Sequence, residues 1–402
     1  MRFDFTTIPD RRGHDAIAID GLGDGTGFSP AAPKEGFSSI PLWVADMSFA
    51  TAPSVTAAMH ARIDHPFFGY YQETDAYYQA IIDWHHSRKD VTDIERRHIG
   101  YENGVLGGVV SALNVLCSKG DNVLVHSPTY IGFTMSCENN GYHLVHSPLV
   151  LDGAGVWRMD FEDMERRIVD NKIHCAIFCS PHNPCGRVWE RWELEQAMAI
   201  FEKHDVWVIS DEIWSDLLLD GHQHIPTQSA SAWAHDHTVA LYAPSKTFNL
   251  AGLIGSYHIV YNTWLKDRID KEGSLSHYNA QNVLSMHALI GAYCDEGATW
   301  TDELCQVLSE NVSYAHGKLQ SYPGVTCAKP EGTYVLLADC RAWCDAHGVS
   351  YAGFPKLGWD VGVTWHDGRL FECPGFVRIA VSVPHSQVVE AFERLDHYVF
   401  DA

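Results

Sequence analysis

The chain has 402 residues, 46% hydrophobic and 20% charged, so it is long enough to bury a large core in two domains or in one large domain with an elaboration. Its 28 Lys and Arg against 51 Asp and Glu leave a net charge of −23, which repels phosphate backbones and anionic lipids and argues against nucleic acid or a membrane surface as partner. No apolar window approaches the roughly 18 residues of a spanning helix, and the opening MRFDFTTIPDRRG lacks the apolar run of a secretory signal, so the expectation is a cytoplasmic protein.

Residues 1–48 contain few periodic segments and are expected to wrap against a smaller C-terminal domain. Gly104-Val-Leu-Gly107-Gly108 opens a helical run that ends at Gly120. NVLVHSP (122–128), HCAIFCS (174–180), DVWVIS (205–210) and HTVALYAPS (237–245) read as buried strands. Between them RWELEQAMAIFEKH (191–204) repeats its apolar residues at three- and four-residue spacing, the pattern of a helix. Apolar strands alternating with helices predict an α/β fold with a mostly parallel sheet covered on both faces. Toward the C-terminus, VTCAKPEGTYVLLADC (325–340) and GFVRIAVSV (375–383) read as strands, and HSQVVEAFERLDHYV (385–399) as a closing helix. The expected division is a large domain over 49–289 and a small α+β domain built from 1–48 and 290–402. The 11 cysteines lack zinc or redox spacing and read as reduced, mostly buried thiols. His85-His86 and His222-x-His224 have no cysteine or carboxylate cluster beside them, so no metal site is expected.

In such sheets a ligand binds beyond the carboxyl ends of the strands, and four features fall there. The glycines before the 105 helix let an anion approach free N–H groups at a helix N-terminus, although they also suit a tightly packed cap. Asn183, in Ser180-Pro-His-Asn-Pro-Cys-Gly186, sits in turn chemistry that explains the prolines and glycine but does not require the amide. Asp211 follows an apolar strand, where a carboxylate needs a partner; capping the next helix is the other reading. Lys246, in Ser245-Lys-Thr-Phe-Asn249, follows a buried strand, where desolvation would turn an ammonium into a nucleophilic amine. Taken together they supply a phosphate cradle, an amide donor to a phenolic oxygen, a carboxylate for a pyridinium nitrogen and an amine for an aldehyde. Pyridoxal 5'-phosphate calls for all four.

The chain also resembles the fold-type I pyridoxal-phosphate enzymes of the class I/II aminotransferase superfamily, and within them the MalY/PatB group of cystathionine β-lyases, or C–S lyases. The resemblance covers nearly the whole chain and is carried by PLWVADMSFATAPSV (41–55), FGYYQETDAYYQAIIDW (68–84), SPHNPCGRVW, ISDEIWSDLLL, APSKTFNLAGL and GFVRIAV, in order. It implies that Lys246 carries the cofactor as a Schiff base, with Ser245 beside it. Asp211 would pair with the ring nitrogen, Asn183 would bond the phenolic oxygen and Tyr130 would stack on the ring. Val105 and Leu106 would offer backbone N–H groups to the phosphate. Arg378 would fork onto the substrate α-carboxylate, Trp43 would lie near the substrate entrance, and Tyr70 would reach the phosphate of a neighbouring subunit in a homodimer. Two departures bear on chemistry. Ile254 stands where aminotransferases usually carry a phosphate-binding Arg, eight residues after the Schiff-base lysine, which counts against ordinary transamination. Trp214 replaces a usual Tyr or His, and an indole can only donate, so it offers no acid–base help. A third departure, Pro384-His385 for a usual Pro-Arg, has no stated consequence. The implied reaction is β-elimination from an S-substituted amino acid such as L-cystathionine, giving a thiol, pyruvate and ammonia. Transamination is the runner-up, and a non-catalytic binding protein of the same fold comes after it.

Overall fold

In the computed structural model, which describes residues 1–274 and 280–400, eight strands form one mixed sheet. They are β1 (Ile99–Glu102), β2 (Asn122–Ser127), β3 (His143–Leu151), β4 (Trp157–Met159), β5 (Cys175–Cys179), β6 (Trp207–Asp211), β7 (Thr238–Tyr242) and β8 (Ser256–Ile259), in the order β1-β8-β7-β6-β5-β2-β3-β4. Pairing is parallel from β7 through β6, β5 and β2 to β3. β8 runs antiparallel to both β7 and β1, and β4 antiparallel to β3. Residues 275–279, within the expected 49–289 span, and 401–402 lie outside the described residues.

Strand alternation decides which face each residue joins. In β5, Cys175, Ile177 and Cys179 pack with Val109, Ala112 and Leu113 of the Val105–Leu116 helix. Ala176 and Phe178 face the other way, onto Leu194, Ala197, Met198 and Phe201 of the Arg191–Lys203 helix. Buried on both sides, this strand has to be apolar throughout, the pattern seen in HCAIFCS. Gly108 lets the first helix approach the sheet, because a Cβ there would lie 2.6 Å from Leu241 Cδ2. The Arg191–Lys203 helix starts on a capping box formed by Glu190 and Glu193.

A second, antiparallel sheet holds β9 (Thr326–Cys327), β10 (Val335–Asp339), β11 (His366–Asp367) and β12 (Phe376–Ala380), ordered β11-β12-β10-β9. The segment 325–340 is therefore not one strand. β9 and β10 pair antiparallel, and the connection between them contains Pro330, which cannot donate to a ladder. The helical run from Gly104 stops at Leu116 rather than Gly120. The 27-residue helix Asp295–Ser321 packs against this sheet and has no counterpart in the elements read from sequence. The N-terminal segment lies along the same region: Ile40 bridges Val363, and Ala380 N–H donates to the Leu42 carbonyl. No described helix is long and apolar enough to cross a membrane.

Candidate active site

The carboxyl ends of β2, β5, β6 and β7, the start of the Val105–Leu116 helix and β12 of the small sheet surround a cleft of about 700 Å³. Val105, Leu106, Tyr130, Asn183, Asp211, Trp214, Ser245, Lys246 and Arg378 all line it. Residues spread over some 270 positions are thus brought to one wall system by the parallel strand order.

The helix N-terminus opens the cleft on one side. Its N-cap is Gly104, with φ of +78°, and no side chain caps it, so its first amides are left free for an anion. Ser245 and Ile254 stand in the same cleft, the latter where a phosphate-binding arginine was expected in aminotransferases.

Asp211 ends β6 and is buried. One carboxylate oxygen accepts the Ile213 N–H at 3.1 Å. Burial pushes its pKa up to about 7, and the Lys246 charge lowers it only in part. Lys246 follows β7 and donates to the Ala45 carbonyl at 2.8 Å, with its Nζ 5.6 Å from the centre of the Trp214 ring. Burial, and secondly the positive Arg378, lower its pKa to about 8. The amine is therefore far closer to its neutral, nucleophilic form at physiological pH than a surface lysine.

Arg378, on β12, is buried; it donates to Asn183 Oδ1 (3.2 Å) and the Trp43 carbonyl (2.8 Å), and meets His366 Nδ1 at 3.1 Å. Its Nε–H is buried without a partner, and burial lowers its pKa to about 10. A buried, unpaired guanidinium N–H is costly unless a ligand completes it. Tyr130 stands beside the cleft with Gly132 behind it, where a Cβ would come within 2.3 Å of its ring.

Two expected residues do not line the cleft. Trp43 does not stand at a substrate entrance: it is fully buried, its indole N–H donates to Ala18 O at 2.8 Å, and its ring packs on Phe28 and His366, which do line the cleft. An indole in the core needs such a partner for its N–H, and here it leaves only the backbone carbonyl to hold Arg378. Tyr70 is fully exposed on the outer surface. The His385 departure also lies elsewhere, with Nδ1 2.8 Å from Asn311 Oδ1.

Other cleft residues had no individual signal in the sequence. The 45–49 segment is pinned from several sides: Asn249 donates to the Met47 and Phe49 carbonyls, Ser382 donates to Asp46 O, and Arg11 pairs with Asp46 at 2.6 Å. Arg11, Asp46, Asn249, His366 and Phe371 all line the cleft. The quoted stretches 41–55 and APSKTFNLAGL contained Asp46 and Asn249; Arg11, His366 and Phe371 sit in a loop, a two-residue strand and a short 3-10 helix whose placement depends on tertiary packing.

The donor set suits pyridoxal phosphate. An uncapped helix start can take a phosphate, a buried carboxylate without a bonded cation can take a protonated ring nitrogen, and a desolvated amine can take an aldehyde.

Comparison with known proteins agrees with this geometry. Residues 39–395 match the family "Aminotransferase class I and II". Cystathionine beta-lyase PatB of Bacillus subtilis is 33% identical over 84% of this chain and 85% of its own, and Protein MalY of Escherichia coli is 30% identical over 96% of each. The crystal structure of the PLP-bound C-S lyase from Staphylococcus hominis superposes with a TM-score of 0.88 at 29% identity, covering 99% of this chain and 98% of that one. With its cleft at the ends of the parallel strands and its sequence matched across both sheets, the chain belongs to the class I and II aminotransferase family.

Proposed function

We propose that the protein is a pyridoxal-phosphate-dependent carbon–sulfur β-lyase that cleaves L-cystathionine or related S-substituted cysteines to a thiol, pyruvate and ammonia. The observation that carries this reading is Lys246: a desolvated amine in one cleft with a buried carboxylate and a buried, partly unpaired arginine. The likeness to PatB and to the C-S lyase of S. hominis supports elimination, and so does Ile254 in place of a phosphate-binding arginine.

The bound cofactor supplies an aldehyde that captures the substrate amine and a protonated ring that withdraws electrons from Cα. The residues do the rest. Arg378 binds the α-carboxylate through its free Nε–H and remaining donors, while its bonds to Asn183 and the Trp43 carbonyl fix the guanidinium plane. Asn183, held by Arg378, would donate its amide N–H to the phenolic oxygen. Lys246 Nζ, in its neutral form, would remove the Cα proton. Asp211 would hold the proton on the ring nitrogen. Val105 and Leu106 amides with Ser245 would anchor the phosphate, and Tyr130 would cover the ring. Trp214 presents its ring 5.6 Å from Lys246 Nζ and, as an indole that can only donate, would take no part in accepting the proton. The elimination releases the thiol, and hydrolysis of the remaining three-carbon fragment by one water gives pyruvate and ammonia.

We further propose a cytoplasmic homodimer in which Tyr70 reaches the neighbouring subunit's phosphate site. Exposed Ile63, Phe67 and Phe68 beside Tyr70 make an apolar surface suited to burial against a second copy.

Turnover of L-cystathionine with and without 2-oxoglutarate tests the reaction class. A lyase releases pyruvate at the same rate in both. Turnover that requires the keto acid and yields glutamate would instead assign transamination.

A further inference from the structure

At the amino ends of β2 and β5, opposite the cleft at their carboxyl ends, Cys117, Asp121 and His174 bring their Sγ, carboxylate oxygen and ring nitrogen within 4.8 Å of one another. They come from three elements. Cys117 closes the Val105–Leu116 helix, Asp121 precedes β2 and His174 precedes β5. Cys175, the next residue, is buried in the apolar core beside them.

The backbones of all three are fixed. Cys117 N–H bonds Leu113 O at 2.8 Å, Asp121 O accepts from His143 N, and His174 O accepts from Trp207 N. Asp121 Oδ2 also accepts the Ser118 N–H at 2.7 Å, which orients the carboxylate from outside the cluster. All three side chains are partly exposed, so an ion has a path in. A tetrahedral zinc separates its ligand atoms by roughly 3.3–3.8 Å, given bonds of roughly 2.0–2.3 Å. His174 Nε2 and Asp121 Oδ2 already stand 3.4 Å apart, and all three side chains are partly exposed, which leaves them room to adjust around an ion.

We propose that Cys117, Asp121 and His174 bind one thiophilic divalent cation of the zinc type, with water in the fourth position. Thiolate and imidazole select zinc over magnesium or calcium, and the carboxylate is the third protein ligand. Binding displaces the Cys117 thiol proton to solvent. The site clasps the end of the helix whose other end opens the cleft, about 18 Å away along twelve residues. It is distinct from the cofactor site and does not depend on the lyase reading.

The test uses the cofactor-loaded protein, stripped with chelator and titrated with cobalt(II). Expected are one equivalent per chain, ligand-field bands of tetrahedral cobalt at longer wavelength than the cofactor absorbs, and thiolate charge-transfer absorption. Zinc should displace the cobalt one for one. Cys117→Ser and His174→Gln should each weaken binding by more than about 100-fold, the upper end of what loss of an outer-shell partner does, with the cofactor spectrum unchanged. Binding that is undiminished in both variants would assign the metal to other histidines and overturn the proposal. So would the absence of tetrahedral bands in the wild type, leaving Asp121 and His174 as a surface ion pair at 3.4 Å.

Discussion

Lys246 and Asp211 show how burial, above all, prepares two side chains for a cofactor. Both were legible in sequence because each stands at or just beyond the carboxyl end of an apolar strand, and a charge there needs a chemical reason. Arg378 was legible only through resemblance, since FVRIAV reads as an ordinary strand until β12 turns it toward the cleft. Two pH effects follow. The Lys246 pKa of about 8 means that loading of cofactor into apoprotein should accelerate as pH rises toward and through about 8, not 10.5. Stopped-flow absorbance at the cofactor band measures it; a midpoint above 10 would contradict the desolvated amine. Asp211 has a folded-state pKa raised from 3.8 to about 7, so its neutral form is the comfortable one in apoprotein. Its contribution to apoprotein stability is fully present below about 3.8 and lost as pH rises through about 7, a change on the order of 4 kcal/mol. Asp211→Asn should flatten that part of the apoprotein stability curve in denaturant titrations. The same variant should bind cofactor but turn over poorly, because it cannot hold the ring proton.

Between elements, a buried ion pair ties the cleft floor to the outer helices. Lys89, the last residue of the Asp75–Lys89 helix, pairs with Asp216, which also accepts from Trp84 Nε1 at 3.1 Å and from Thr247 Oγ1 at 3.3 Å. Thr247 is the neighbour of Lys246, so this network fixes the backbone that presents the amine. Nothing in the sequence linked Lys89 to Asp216, which lie 127 positions apart; the pairing exists only once the helix docks on the sheet. Lys89→Met leaves Asp216 as an uncompensated buried charge and should destabilise the fold by about 3–5 kcal/mol in chemical denaturation. The sheet itself shows where patterning stops. The double-sided strands β5, β6 and β7 announced themselves by unbroken apolar runs. β3, exposed along one side, β8, with His258 buried against Glu102, and the two-residue β9 and β11 carry no such run. Pro330 and Gly332 could have split the 325–340 segment on punctuation alone.

At the scale of the molecule, the order of parallel strands places Tyr130, Asn183, Asp211 and Lys246 on one side. The small sheet closes over them with Arg378. In the homodimer proposed above, the exposed Phe67, Phe68 and Tyr70 would be where copies meet. Replacing Phe67 and Phe68 together by Asp should shift the protein toward monomer in sedimentation velocity and lower cofactor retention with it; an unchanged dimer would place the interface elsewhere. The central claim is that one buried lysine drives elimination without an acceptor. The most direct measurement incubates L-cystathionine with wild type and with Lys246→Ala, no keto acid present, while pyruvate and homocysteine are quantified together. The expected result is equal release of both by the wild type, and a loss on the order of 10²–10⁴-fold or more in the variant. Elimination by Lys246→Ala near the wild-type rate would contradict the account.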